Sequence, residues 1–140
     1  MRLWHKNLIS VLPRKQLLGQ WRECCAIAKQ IKTTGKTNHI LINRIMDYPL
    51  DEFTTYCDAI ANEMKKRGYH VDKWEALYWC LDKNILLLSN CFCGWHNRRY
   101  LYQCLANLSE KYDCGGISEE EWEPIYAEFS YEIDCANGDR

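Results

Sequence analysis

Apolar residues recur at three- and four-residue intervals along most of the chain, which is the period of an amphipathic helix. Leu17, Leu18, Trp21, Cys24, Cys25 and Ala28 form the first such set. Pro13 precedes them, at a position where a missing N–H costs a helix nothing. Arg14, Arg22, Lys29 and Lys32 fall on the opposite side, and the breakers Thr33-Thr34-Gly35 close the segment. A second helix is predicted from about Asp51 to Arg67, with Leu50, Phe53, Cys57, Ile60 and Met64 in one stripe. Acids at its start and Lys65-Lys66-Arg67 at its end complement the helix dipole, and Gly68 terminates it. The stretch from Trp74 to about Leu88 is apolar nearly all round, which predicts a central, buried helix. After a break at Cys91-Phe92-Cys93-Gly94, another helix is predicted from Asn97 to Lys111, with Tyr100, Leu101, Cys104, Leu105 and Leu108 inward. Ser118-Glu119-Glu120-Glu121 reads as a capping box that opens a short acidic helix. The pattern predicts an all-α fold: one compact domain of four to five helices over residues 1–135, then a frayed tail at 136–140.

Composition supports a packed core rather than disorder, since 47% of the 140 residues are hydrophobic and 13% aromatic. No apolar run approaches the roughly 18 residues that a membrane span requires. The opening Met1-Arg2-Leu3-Trp4-His5-Lys6 lacks the apolar stretch of a signal peptide, so a cytoplasmic location and no membrane partner are expected. In that reducing compartment the nine cysteines read as small buried hydrophobes, and Cys57, Cys80 and Cys104 indeed fall at apolar helical positions.

Charge changes the picture more. The net charge is −1, but residues 1–45 hold nine Lys/Arg against the single acid Glu23, a local balance of +8. Residues 116–140 hold eight acids against Arg140 alone. A strongly basic segment in a near-neutral chain is the footprint of a phosphate-facing surface. The alternative is a positive face that pairs with the acidic C-terminal segment.

Three features carry candidate chemistry. Glu23 is the only acid in the first 46 residues. A phosphate-facing surface gains affinity by losing a carboxylate, so one retained among cations invites a catalytic explanation. The chain start is the second feature. An α-amine has a pKa of about 7.7–8.0 and needs little tuning to act as a nucleophile, whereas a lysine must be desolvated. The third is Cys91-x-Cys93-x-x-His96, with Cys104 and Cys114 downstream. Thiolates and imidazole at short spacing bind zinc, but C-x-C is a poor structural spacing and no second pair completes four ligands, so no metal site is assigned.

Several segments together carry a resemblance. Met1-Arg2-Leu3-Trp4-His5, Leu8-Ile9 and Leu12-Pro13-Arg14-Lys15-Gln16-Leu17-Leu18-Gly19-Gln20-Trp21-Arg22-Glu23-Cys24-Cys25 are similar to the pyrimidine-dimer DNA glycosylase family, the phage endonuclease V type and its bacterial branch. The likeness continues through Gly35-Lys36, His39 and Asn43, then Glu63 to Tyr69, and His96-Asn97 with Tyr100-Leu101 and Cys104-Leu105. The resemblance implies a compact all-α fold acting as a monomer without cofactor on damaged or abasic double-stranded DNA. It implies a bifunctional reaction, in which the N-terminal amine displaces a damaged base from C1′ and the resulting imine permits β-elimination. By position it makes Glu23 the essential catalytic glutamate and Arg22 an arginine that grips backbone phosphate. Met1 is the further catalytic candidate, and Arg2, Arg14, Lys29, Lys36, His39 and His96 are the further candidates for DNA contact.

Three departures from the family pattern are visible. Position 2 is Arg, too large for normal removal of Met1, so Met1 itself is the expected amine. The family's second arginine falls on Ala26, with Lys29 as a substitute point charge. The aromatic C-terminal segment is replaced by the acidic stretch from Glu119 to Asp134. The runner-up reading is therefore a catalytically silent module on the same fold that binds distorted DNA or a protein partner.

Overall fold

The computed structural model describes residues 2–37, 39–72 and 87–139. The described residues hold four α-helices and two 3-10 helices and no strand, so the fold is all-α. The helix expected between Trp74 and Leu88 lies outside the described residues but for its last two positions, which are exposed.

The chain packs as two compact units. The first comprises Met1–Leu3 with Lys15–Cys93. Its main helix is α1, Arg14–Thr34, whose buried face is Leu17, Gln20, Trp21, Cys24, Ile27, Ala28 and Ile31. Leu18 and Cys25, expected inside, are only half-buried. The second helix, α2, spans Leu50–Lys66 and starts with Asp51 and Glu52 in its first turn. Phe53, Cys57, Ile60 and Met64 are buried as the stripe predicts, joined by Tyr56. The chain turns sharply at Gly68, whose φ of 83° suits a residue without Cβ.

The 3-10 helix Ile42–Asp47 packs on α2 and buries Ile42 and Ile45. From within it, Asn43 Oδ1 accepts from both the amide and the hydroxyl of Thr37, at 2.9 and 2.7 Å. The His39 carbonyl accepts from the amides of Ile42 and Asn43 at 3.0 Å each. Short local bonds of this kind pin the loop after α1 without regular secondary structure.

The second unit comprises Trp4–Arg14 with Gly94–Arg140. Helix α3, Arg98–Asp113, starts where the sequence predicts, with Asn97 Oδ1 accepting from the Tyr100 amide at 3.0 Å. It buries Leu101, Cys104, Leu105 and Leu108 against α4, Glu119–Ala136. Ser118 caps α4 by accepting from the Glu121 amide at 3.2 Å. That helix is longer than the short segment expected. It continues past Pro124 and through a non-helical kink at Phe129, because Ile125, Phe129 and Ile133 recur every four residues on the buried side. The 3-10 helix Lys6–Val11 also packs on α4, with His5 capping it through Nδ1.

All eight described cysteines are free thiols. Cys24, Cys57, Cys91 and Cys104 are buried, while Cys93 and Cys114 are exposed. Burial pushes the Cys57 thiol well above its usual range, and a hydrogen bond with Cys24 adds to this.

Candidate active site around Glu23

Helix α1 places Glu23 at the edge of its buried face, one position before Cys24 and half-buried. One turn earlier stands Gln20, only 1% exposed. Its Nε2 donates to Glu23 Oε2 at 3.1 Å and to the main-chain carbonyl of Arg2 at 3.2 Å. The Oε1 of the same amide accepts from the Tyr56 hydroxyl at 3.0 Å. Residue 2 of the chain and the only acid of the basic segment are thus held to one buried amide. Met1, one peptide bond further, lies outside the described residues.

Burial raises the Glu23 carboxyl above its ordinary range. The positive N-terminus, the Gln20 hydrogen bond, Arg22 and His39 pull it partly back. The carboxyl is thus tuned by desolvation against surrounding cations, a combination typical of groups that exchange protons.

The predicted cations fall in different places. Arg22 and Lys29 are exposed on α1, seven residues apart and so on one side of the helix. Lys15 precedes Arg22 by the same interval and is exposed too, so three cations form a row with steps of about 10.5 Å. Lys15 is not among the cations expected toward DNA, and only its seven-residue spacing from Arg22 signals its place in this row. Ala26 is exposed between Arg22 and Lys29. Arg14 is exposed at the start of α1, where its main-chain N–H donates to Glu121 Oε2 at 2.8 Å. Lys36 is exposed in the loop after α1, and Arg2 and His39 are half-buried.

His96 differs from these. It is 4% exposed, its Nδ1 accepts from the Lys6 amide at 2.9 Å, and its ring lies 5.1 Å from His5 and 5.0 Å from Tyr100. A DNA contact from His96 would require that ring to be uncovered. Its neighbour His5 is also buried, which lowers its pKa. Among the described residues no group of three or more His, Cys, Asp or Glu is placed to hold a metal ion, and Cys91, Cys93 and His96 form no such group.

Beside Glu23 on α1, Arg22 borders a hollow of about 240 Å³ walled by Leu18, Trp21, Cys25, Met64, His70 and Asp72. Trp21 closes one side by donating Nε1–H to the Asp72 carbonyl at 2.8 Å. No helix among the described residues is long and apolar enough to cross a membrane.

Among known proteins, the profile of the pyrimidine dimer DNA glycosylase family matches residues 1–75. The chain belongs to that family. The match covers α1, α2 and every residue of the Glu23 network, and ends before α3. No curated protein and no solved structure matches the chain. Family membership brings DNA repair to this chain and makes DNA the expected substrate. Gln20 and Tyr56 are the functional candidates that sequence reasoning missed. For Gln20 the available signal was an amide on the same face as Leu17, Trp21 and Cys24.

Proposed function

We propose that the chain is a DNA glycosylase with abasic-site lyase activity that acts on pyrimidine dimers or related lesions. The observation that carries this reading is the tie between Glu23 and the Arg2 main chain through Gln20. It ties the one acid of the basic segment to the Arg2 main chain, which supports the reading.

In this reading the Met1 α-amine attacks C1′ of a damaged nucleotide, forming a C–N bond as the C1′–base bond breaks and the base leaves with the electron pair. One amine proton passes to the departing base. The C1′–O4′ bond then breaks, O4′ takes the second proton as a hydroxyl, and the C1′=N double bond of the imine forms. Removal of a C2′ proton then expels the 3′ phosphate by β-elimination. Glu23 stabilises the cationic sugar or imine and moves protons, roles suited to a half-buried carboxyl of raised pKa. Arg22 and Lys29 grip backbone phosphate, with Arg2, Arg14, Lys36 and His39 as further contacts. Access to the reacting carbon requires a duplex that is kinked and opened, which favours damaged sites.

The test is incubation of the untagged protein with an abasic-site duplex and borohydride, which reduces an imine to a stable amine. A covalent protein–DNA adduct is expected from the wild type. A folded protein that binds distorted duplex yet gives no adduct supports the silent binding module instead. The exposed Ala26, at the position of a family arginine, favours that second reading.

A further inference from the structure

Tyr56 is fully buried on α2, and its hydroxyl donates to Gln20 Oε1 at 3.0 Å. The orientation of the Gln20 amide follows from its partners. The Arg2 carbonyl can only accept, so the amide nitrogen must face it, and the oxygen is left for the Tyr56 hydroxyl. The two Nε2 protons then go to the Arg2 carbonyl and to Glu23 Oε2. One rigid planar group therefore fixes both the main chain next to the first residue and the carboxylate.

Tyr56 is itself seated with unusual care. Its ring centroid is 5.9 Å from that of Phe92, which is fully buried and also meets Tyr48 edge-on at 5.4 Å. Phe92 has a φ of 52°, in the left-handed region that bulky residues avoid. Such backbone persists only where surrounding contacts over-determine it. Here the Phe92 amide donates to Glu52 Oε1 at 2.7 Å while its ring is held between the two tyrosines. The unfavourable conformation holds an aromatic wall against Tyr56.

We infer that Gln20 is a positioning residue that sets the spacing and orientation of the Arg2 main chain relative to Glu23, with Tyr56 as its buried anchor. The inference rests on the reading of Glu23 given above. An imine-forming amine and a proton-moving carboxylate must be held to a fraction of an ångström, and misplacement by about 1 Å can cost on the order of a hundredfold in rate. Neither Gln20 nor Tyr56 needs to touch DNA for this. The Gln20 hydrogen bond also lowers the proton affinity that burial gives Glu23, so the same amide sets where and at what pH the carboxyl works.

Three full-length variants test this. Gln20→Met keeps the volume and removes the amide, Tyr56→Phe removes only the hydroxyl, and Gln20→Glu keeps an acceptor for Tyr56 while adding a second carboxyl. The measurements are the single-turnover elimination rate on an abasic-site duplex across pH, affinity for a duplex with a tetrahydrofuran abasic analogue, and the Glu23 carboxyl titration by carbon-detected NMR. Gln20→Met is expected to slow elimination by about ten- to a hundredfold with affinity within about twofold, and to move the Glu23 titration to higher pH. Tyr56→Phe should move both in the same direction by less. Gln20→Glu should shift the acidic limb of the rate to higher pH, because two adjacent carboxyls share a proton. Wild-type rates together with an unmoved Glu23 titration in folded variants would overturn the inference. Should Gln20→Met fail to fold, Tyr56→Phe carries the same comparison. A wild type that binds the analogue but cleaves no abasic DNA sinks the proposed function alone. The positioning role is then judged on the Glu23 titration and on the Arg2–Leu3 amide signals, and it falls if Gln20→Met leaves both unchanged.

Discussion

Trp21 donates its indole N–H to the Asp72 carbonyl at 2.8 Å, tying the helix of Glu23 to the chain that leaves α2. The indole is 4% exposed, and its ring forms one wall of the hollow beside Arg22. Trp21→Phe keeps an aromatic wall but leaves the carbonyl without this donor. It should lower stability by about 1–3 kcal/mol, read as a lower urea midpoint at unchanged slope. A variant with the wild-type midpoint would show that the tie contributes nothing.

Glu23→Gln should abolish cleavage of abasic DNA while binding stays equal or tightens slightly, since a negative charge leaves a cationic surface. Cleavage at the wild-type rate would remove Glu23 from the chemistry. The variant also has a stability signature. Because burial raises the folded-state pKa of Glu23 above its unfolded value, its contribution is fully present at low pH and is lost as pH rises through the folded value. Wild type and Glu23→Gln should thus melt alike below the ordinary glutamate pKa of 4.5, and the variant should gain on the wild type above it.

Acid should destabilise the second unit through His5. Its folded-state pKa is depressed by burial, so its contribution is present above the unfolded value of 6.5 and is lost as pH falls below it. His5→Asn retains an acceptor for the Asn7 amide that His5 Nδ1 now accepts, at 3.1 Å, but cannot take up the proton. Its melting temperature should fall less than that of the wild type between pH 7 and 5. Parallel decline of the two proteins would assign the acid sensitivity elsewhere.

The row Lys15, Arg22 and Lys29 should dominate the salt dependence of DNA binding. Each phosphate contact contributes about 0.9 to the slope of log affinity against log salt. Charge reversal of Arg22 or Lys29 should weaken binding to all duplexes alike and flatten that slope by about one contact. An affinity indifferent to salt would favour a protein partner over DNA.

The amine itself is testable through its surroundings. With Met1 retained ahead of Arg2, a residue left in front of it by a tag should eliminate borohydride trapping, whereas a C-terminal tag should not. Peptide mapping should place the link on the tryptic peptide Met1-Arg2. A link at Lys6, Lys29 or Lys36 would replace the amine with a lysine.

Much of this was legible because the helix ends carry their own signals. Pro13 before α1, the acids and Gly68 around α2, and the Asn97 and Ser118 caps all lie within a few residues of the ends they set. The two 3-10 helices had no such period to betray them. The length of α4 escaped because Pro124 and the run of glutamates suggest an early end, and only packing of Ile125, Phe129 and Ile133 carries the helix on. Glu23 was legible as a lone acid among cations. Gln20 was not, since a glutamine in a helix reads as surface until Tyr56 and the Arg2 carbonyl are seen on either side of it. The partner of His96 Nδ1 is likewise remote: it is the Lys6 amide, ninety residues away in sequence.

The free thiols give this molecule a clock. Cys93 and Cys114 face solvent and should react with a thiol reagent at once, whereas Cys24 and Cys57, buried and hydrogen-bonded to each other, react only when their surroundings open. Once Cys25, Cys93, Cys114 and Cys135 are replaced by serine and labelling is read by peptide mapping, the slow modification of Cys24 measures how often the helix that bears Glu23 breathes. If DNA stabilises that helix, the labelling rate drops in its presence, and the size of the drop gives the free energy with which substrate closes the site.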